Sequence, residues 1–172
     1  MTDQCSTRAP GAPAIEVARV EPRNWERFRA LRLAALVESP ESFASTLTRE
    51  QAFDEHEWRR RATRPATFLA SRNGRDIGLA GVYEFDGVWT VMGMWVEPEA
   101  RGTGAVEALM GACEKVAREA GATTLVLGVM EDNPRGQRAY RRLGFELTGA
   151  RDHVRDGRDE LWMTKTLDAP QT

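Results

Sequence analysis

Arg101-Gly102-Thr103-Gly104-Ala105 lies between two patterned stretches, and its reading decides the fold. Upstream, Val88-Trp89-Thr90-Val91-Met92-Gly93-Met94-Trp95-Val96 is an apolar strand pattern that Pro98 closes. Downstream, Ala105, Leu109, Ala112, Cys113, Val116 and Ala120 recur at helical spacing up to Gly121, a helix stop. A glycine turn that opens a helix leaves backbone N–H groups without partners and aims the positive end of the helix dipole at whatever docks there. Arg101 adds a fixed positive charge, so residues 101–106 are predicted to cradle a phosphorylated ligand. A plain strand-to-helix connection is the competing reading of the turn taken alone.

Two other glycine motifs do not fit. A dinucleotide fingerprint needs a third glycine where Glu107 stands, and an acidic residue at the end of the following strand. A P-loop needs Gly-Lys-Ser/Thr at its end, which this stretch lacks.

The chain beyond the helix narrows the choice. Thr123-Thr124-Leu125-Val126-Leu127-Gly128-Val129-Met130 is an apolar run suited to a buried strand. Asn133-Pro134-Arg135-Gly136-Gln137-Arg138-Ala139-Tyr140-Arg141-Arg142-Leu143-Gly144-Phe145 then starts as a helix with Asn133 as cap and Pro134 at its first position. This order of strand, Arg-Gly-x-Gly turn, helix, strand and Asn-led helix ending Tyr-x-x-x-Gly-Phe resembles the GNAT superfamily of acyl-CoA N-acyltransferases. The resemblance covers residues 76–167; residues 15–64 match in the order of their elements. The turn departs from the family pattern at Val106, where a small residue is usual and a β-branched side chain crowds the pyrophosphate position. In the second motif Gly136 replaces the usual Ala, and Ala139 a larger apolar residue.

Composition agrees with an enzyme-sized chain. At 172 residues it can bury a substantial core, and the balance of 26 acidic against 24 basic residues argues against nucleic acid or an anionic membrane as partner. Cys5 and Cys113 do not make a disulfide framework, which suits a reduced, cytoplasmic setting. His56 and His153 stand apart from any ligand cluster, so no metal site is expected. No segment is long and apolar enough to span a membrane. Residues 1–14 read as a flexible tail without a secretory signal, 15–167 as one domain, and 168–172 as a second tail.

Turn chemistry orders the remainder. Residues 15–20 alternate as a strand, and a helix follows from Pro22 to about Val37 with Trp25, Phe28, Leu31 and Leu36 on its apolar side. Residues 41–50 and 54–62 read as shorter helices, the latter capped by Asp54. Asn73-Gly74, Asp86-Gly87 and Asp156-Gly157 are hairpin signals; the first two join strands at 66–72, 76–85 and 88–97. The helical crossover from 88–97 to 123–130 demands a parallel pair. The expected fold is α/β: a mixed, largely antiparallel twisted sheet of about six to seven strands with helices on both faces. The resemblance implies that the parallel pair splays at its carboxyl ends around a pantetheine arm.

The same resemblance implies the chemistry. It makes the chain an N-acetyltransferase with acetyl-CoA as donor and a primary amine as acceptor. Backbone groups of Met94, Trp95 and Val96 would hold the pantetheine amides, and Arg101, Gly102, Thr103, Gly104, Ala105 and Val106 the pyrophosphate. Asn133 would lie near the cofactor arm, and Tyr140 would protonate the departing thiolate. Spacing alone gives plainer readings: core strand for residues 94–96, a helix cap for Asn133, and a core anchor for Tyr140 beside Gly136, Ala139 and Leu143. Some family members that acetylate protein N-termini carry a glutamate five residues before the asparagine; here that residue is Gly128. Glu84, Asp86, Glu97, Glu131 and Asp132 are the other acids near the expected active face, and none is assigned as base. The acidic segment 38–57 and the hairpin 150–158 are candidate acceptor walls. A small-molecule amine is the leading acceptor; a protein or peptide amine, and a non-catalytic acyl-CoA-binding module, stay open. A homodimer is implied by family analogy only.

Overall fold

Asn73, Asp86 and Asp156 take left-handed backbone angles, with φ of 52°, 49° and 53°, and the glycine after each does the same. Two such residues in sequence make the primed turn whose twist suits right-handed strands. The first two turns fold β2 (Ala66–Arg72), β3 (Arg75–Phe85) and β4 (Val88–Val96) into an antiparallel meander. The third joins β6 (Glu146–Arg155) to β7 (Arg158–Thr166). The structure, a computed structural model, describes residues 13–168; the sequence readings that fall on 1–12, Cys5 included, and on 169–172 lie outside the described residues.

With β1 (Glu16–Arg19) and β5 (Thr124–Met130) the strands form one seven-stranded sheet in the order β1-β2-β3-β4-β5-β7-β6. Every neighbouring pair is antiparallel except β4 and β5, joined by the crossover helix α4 (Ala105–Glu119). The mixed sheet, its helices on both faces and its parallel pair are as the sequence predicts. The parallel ladder is short: Thr90 pairs with Val126 and Val91 with Leu127, and there it ends, although β4 runs on to Val96 and β5 to Met130. Just past that point β4 carries one extra residue against β3, between the pairs Gly81–Met92 and Leu79–Trp95, and Gly93 there has φ of 63°. Such a bulge bends and twists a strand, and this one coincides with the divergence of β4 from β5.

Two cores flank the sheet. On one face α4 buries Leu109, Met110, Cys113 and Ala117 against strands β2 to β5. On the other, α1 (Trp25–Glu38) and α3 (Glu55–Ala62) cover Leu69, Leu79 and Trp95. Trp58 on α3 is 1% exposed and meets Phe28 and Phe53 edge-on, each at 5.7 Å. Asp54 caps α3, accepting from the Glu57 N–H at 2.8 Å, as its position predicts.

The buried side of α1 is Phe28, Arg32, Ala35 and Leu36, so Trp25 and Leu31, expected inside, are only partly covered. Arg32 interrupts the apolar stripe because its partner arrives from elsewhere. Its Nε and Nη2 donate to the two Glu50 oxygens at 2.9 and 2.7 Å, and Glu50 is fully buried on α2 (Leu47–Gln51). The Phe43 ring packs under the guanidinium at 4.4 Å. The predicted helix 41–50 is thus a single turn at 40–42, an extended linker and the short α2. Removing one partner of a buried pair leaves an uncompensated charge. Glu50→Ala should therefore cost about 3–5 kcal/mol in urea unfolding, while Glu50→Ala with Arg32→Met should recover most of that loss.

Candidate active site

The divergence of β4 from β5 opens a cleft of about 160 Å³ at the carboxyl end of the parallel pair. Met94, Trp95 and Val96 from β4 line one side, and Gly128 and Val129 from β5 the other. Arg101, Gly102 and Val106 close it at the start of α4. Asn133 and Tyr140 reach it from α5 (Pro134–Arg142). Eight of the eleven residues singled out in the sequence therefore share one cleft; Thr103, Gly104 and Ala105 flank it without lining it.

The glycine turn has the predicted geometry. Gly102 and Gly104 sit at φ of 73° and 91°, and a side chain at either would meet nothing within 4 Å, so the turn faces open space. The first helical bond of α4 runs from the Ala108 N–H to the Gly104 carbonyl at 3.0 Å. The N–H groups of Ala105, Val106 and Glu107 therefore have no partner within the helix. Ala105 itself is buried, and the Thr103 hydroxyl is engaged, donating to the Ala100 carbonyl at 2.6 Å and accepting from Arg72. Val106 packs its side chain against the core beneath α4.

Arg101 does not present its charge to the turn. Its Nε donates to the Val96 carbonyl at 3.0 Å and its Nη2 to the Glu38 carboxylate at 2.7 Å. The Val96 carbonyl can take that bond because β4 has no β5 partner there. Glu38, at the end of α1, also accepts from Trp95 Nε1 at 3.0 Å and from the Ser39 hydroxyl. Burial pushes the Glu38 pKa up, but the bonds from Ser39, Trp95 and Arg101 and the Arg101 charge outweigh it and hold it down at about 2. Cationic lining comes instead from Arg135 and Arg142 on α5, which have no carboxylate partner among the described residues. Their spacing, two turns apart on one helix face, is the signal that sequence reading passed over.

Asn133 is the helix cap that its position predicts, and it also lines the cleft. Its Oδ1 accepts from the Gly136 N–H at 2.9 Å, which caps α5, while Nδ2 faces Ser42 across the cleft at 3.5 Å. Gly136 has a packing reason: a Cβ there would lie 2.8 Å from Asn133 Nδ2 and 3.2 Å from Val129. Tyr140 stands edge-on to Phe145 at 6.2 Å. Desolvation, followed by the neighbouring Cys113, raises the Tyr140 pKa, so the phenol stays protonated. Burial likewise pushes the Cys113 thiol up to about 12, with Glu114 adding to it, which leaves that thiol unreactive.

The acid candidates are mostly engaged elsewhere. Glu84 accepts within its hairpin from the Gly87 N–H, Glu97 pairs with Arg75 at 2.7 Å, and Asp132 with Arg158 at 2.6 Å. Glu131 lies 3.5 Å from Arg151. In the acidic segment Glu50 faces Arg32, Glu55 faces Arg59, and Glu57 faces Arg60 and Arg61, so it is no continuous negative rim. The two predicted walls do meet: Arg155 reaches the Pro40 and Phe43 carbonyls at 3.4 Å, and Arg158 the Glu41 carbonyl, which ties the β6–β7 hairpin to residues 40–43. Among the described residues no group of three His, Cys, Asp or Glu could hold a metal, and no helix is long and apolar enough to cross a membrane. Because a carboxylate held below its usual pKa stabilises the fold only while ionised, the Glu38 contribution is full above about pH 4.5 and is lost as pH falls towards 2. The stability gap between wild type and Glu38→Gln, followed by thermal unfolding, should close across that window; a gap independent of pH would contradict the assignment.

Comparison with other proteins agrees with this geometry. Uncharacterized N-acetyltransferases of Mycobacterium bovis and Mycobacterium tuberculosis are 35% identical over 89 residues, 51% of this chain and 57% of theirs. The chain thus spans little more than half the length of the curated relatives it matches. A nourseothricin acetyltransferase of known structure is 36% identical, with a TM-score of 0.56 over 60% of this chain and 65% of its own. The yncA protein of Salmonella typhimurium, solved with its cofactor acetyl-CoA, shares the fold at a TM-score of 0.72 and 18% identity, over 92% of this chain and 97% of its own. The sequence model of the acetyltransferase (GNAT) family matches residues 28–145, and the chain belongs to that family.

Proposed function

We propose that the chain transfers the acetyl group of acetyl-CoA to a primary amine of a small molecule, by direct attack with both partners bound. The observation that carries this reading is the single cleft that joins the diverging β4, the open N-terminus of α4, Asn133 and Tyr140. Such a cleft fits the donor: an extended amide arm can pair with strand backbone left free by the divergence, and a pyrophosphate with N–H groups at a helix start. Met94, Trp95 and Val96 take the arm, residues 102–106 and the α5 arginines the phosphates, and Asn133 Nδ2 flanks the arm. Arg101 acts by fixing the end of β4 through the Val96 carbonyl rather than by touching phosphate.

Acetyl-CoA supplies the activated acetyl thioester. The chain's own part is positioning and proton transfer. Holding both reactants in one cleft removes much of the entropic barrier, an effect worth up to about 7–11 kcal/mol in favourable geometries. Tyr140, kept protonated by its desolvated setting, gives its proton to the departing thiolate. The small-molecule acceptor is supported by the 36%-identical neighbour, which is named for nourseothricin, and by Gly128 at the position where some family members acting on protein N-termini carry glutamate. Residues 15–167 serve as one domain in a cytoplasmic setting, the reading that the cysteine content favours.

Release of CoA thiol should be followed with spermidine, L-lysine, kanamycin, nourseothricin and a short peptide as acceptors. Release dependent on one of the small amines is expected, and Tyr140→Phe should lower its kcat about 100-fold with acetyl-CoA affinity unchanged. Acetylation of the peptide alone would identify a peptide acetyltransferase. Binding of acetyl-CoA without turnover on any acceptor would identify a binding module.

A further inference from the structure

Gly128 is the cleft residue of β5 whose side-chain space is already occupied. A Cβ there would stand 2.5 Å from Oε1 and 2.8 Å from Cγ of Glu160. Glu160 lies opposite Met130 in the β5–β7 ladder, one same-face step from Gly128, and leans over it. We propose that Glu160 is the general base of the transfer, its carboxylate delivered from β7 into the volume that Gly128 leaves at the edge of the cleft.

The assignment rests on the function proposed above and on three observations. Gly128 lines the same cleft as Tyr140, and the Glu160 carboxylate occupies the side-chain space of Gly128. The other acids around the cleft have donors: Glu38 has Ser39, Trp95 and Arg101, Asp132 has Arg158, and Asp152 accepts from Trp162 Nε1 at 2.9 Å. Glu160 has no hydrogen-bond donor on its carboxylate among the described residues, and burial, then the Asp152 charge across the β6–β7 ladder, raises its pKa. The charged group that faces it is Asp152, its cross-strand partner on β6; Arg158, two residues along β7, is turned to Asp132 and to the Glu41 carbonyl. A carboxylate with a raised pKa and no fixed partner is suited to accept a proton near neutral pH.

The acceptor ammonium gives one proton to the Glu160 carboxylate and becomes a neutral amine. Its nitrogen forms the C–N bond to the acetyl carbonyl carbon, and the C–S bond breaks. The thiolate takes the Tyr140 proton, the second nitrogen proton returns to the Tyr140 oxygen, and Glu160 releases its proton to solvent.

The test compares wild type with Glu160→Gln, using whichever amine of the panel above wild type acetylates. Glu160→Gln should lower kcat about 100-fold at pH 7 while the acetyl-CoA Kd and thermal midpoint stay within error. The deficit should shrink at least tenfold as pH rises towards 10, because the free amine then needs no base. The swap Gly128→Glu with Glu160→Gly, which puts a carboxylate in the same volume from the other strand, should regain most of the lost rate. In the chain without acetyl-CoA, the carboxyl carbon of labelled Glu160 should titrate above the ordinary glutamate range by NMR. Full activity of Glu160→Gln, a deficit constant with pH, or a loss of fold or acetyl-CoA binding would each overturn the assignment while leaving the acetyltransferase reading standing. Absence of turnover by wild type on every amine would overturn both.

Discussion

The divergence of β4 from β5 is the constraint on which the rest of the site depends. A parallel pair that stayed in register to its end would bond every backbone group of residues 92–96 and 128–130 and leave no cleft. Here the ladder stops at Val91 and Leu127, and the extra residue at Gly93 turns β4 away. The cost is a set of unpaired backbone groups in a buried region, which must find partners. Arg101 supplies one for the Val96 carbonyl, and a ligand with amide groups can supply others.

Two ion pairs hold the α1 side of the sheet against this opening. Glu38 gathers Ser39, Trp95 and Arg101, so the end of α1, the end of β4 and the turn before α4 meet on one carboxylate. Arg32 and Glu50 fasten α2 to α1 within the second core. A pair as short and as covered as Arg32–Glu50 brings little net stability compared with apolar packing, but it fixes relative positions because leaving either partner alone is costly. The β6–β7 hairpin is held to residues 40–43 by hydrogen bonds instead, from Arg155 and Arg158 to main-chain carbonyls.

Much of this architecture was legible in the sequence, because local chemistry and tertiary structure agree. The three Asn/Asp-Gly turns, the Asp54 and Asn133 caps and the glycine turn before α4 are each set by residues within a few positions of one another. What was not legible depends on contacts between distant segments. The fate of the Arg101 charge is decided by Glu38, 63 positions away. Arg32 reads as an error in an apolar stripe until Glu50 is placed against it. Glu160 was hidden for the same reason: its relation to Gly128 is set by the register of β5 and β7, which no local spacing reports. The charge of the acidic segment was equally hidden, since Glu55 and Glu57 pair with arginines on their own helix while Glu50 and Glu38 pair with the distant Arg32 and Arg101.

Amide hydrogen exchange with and without acetyl-CoA tests the central claim most directly, namely that the opening between β4 and β5 is the donor site. Protection on binding should be concentrated at residues 94–96 of β4 and 102–107 at the start of α4, with β1, β2 and α3 unchanged. Protection absent from both segments while acetyl-CoA binds, or centred on another face of the sheet, would contradict the account.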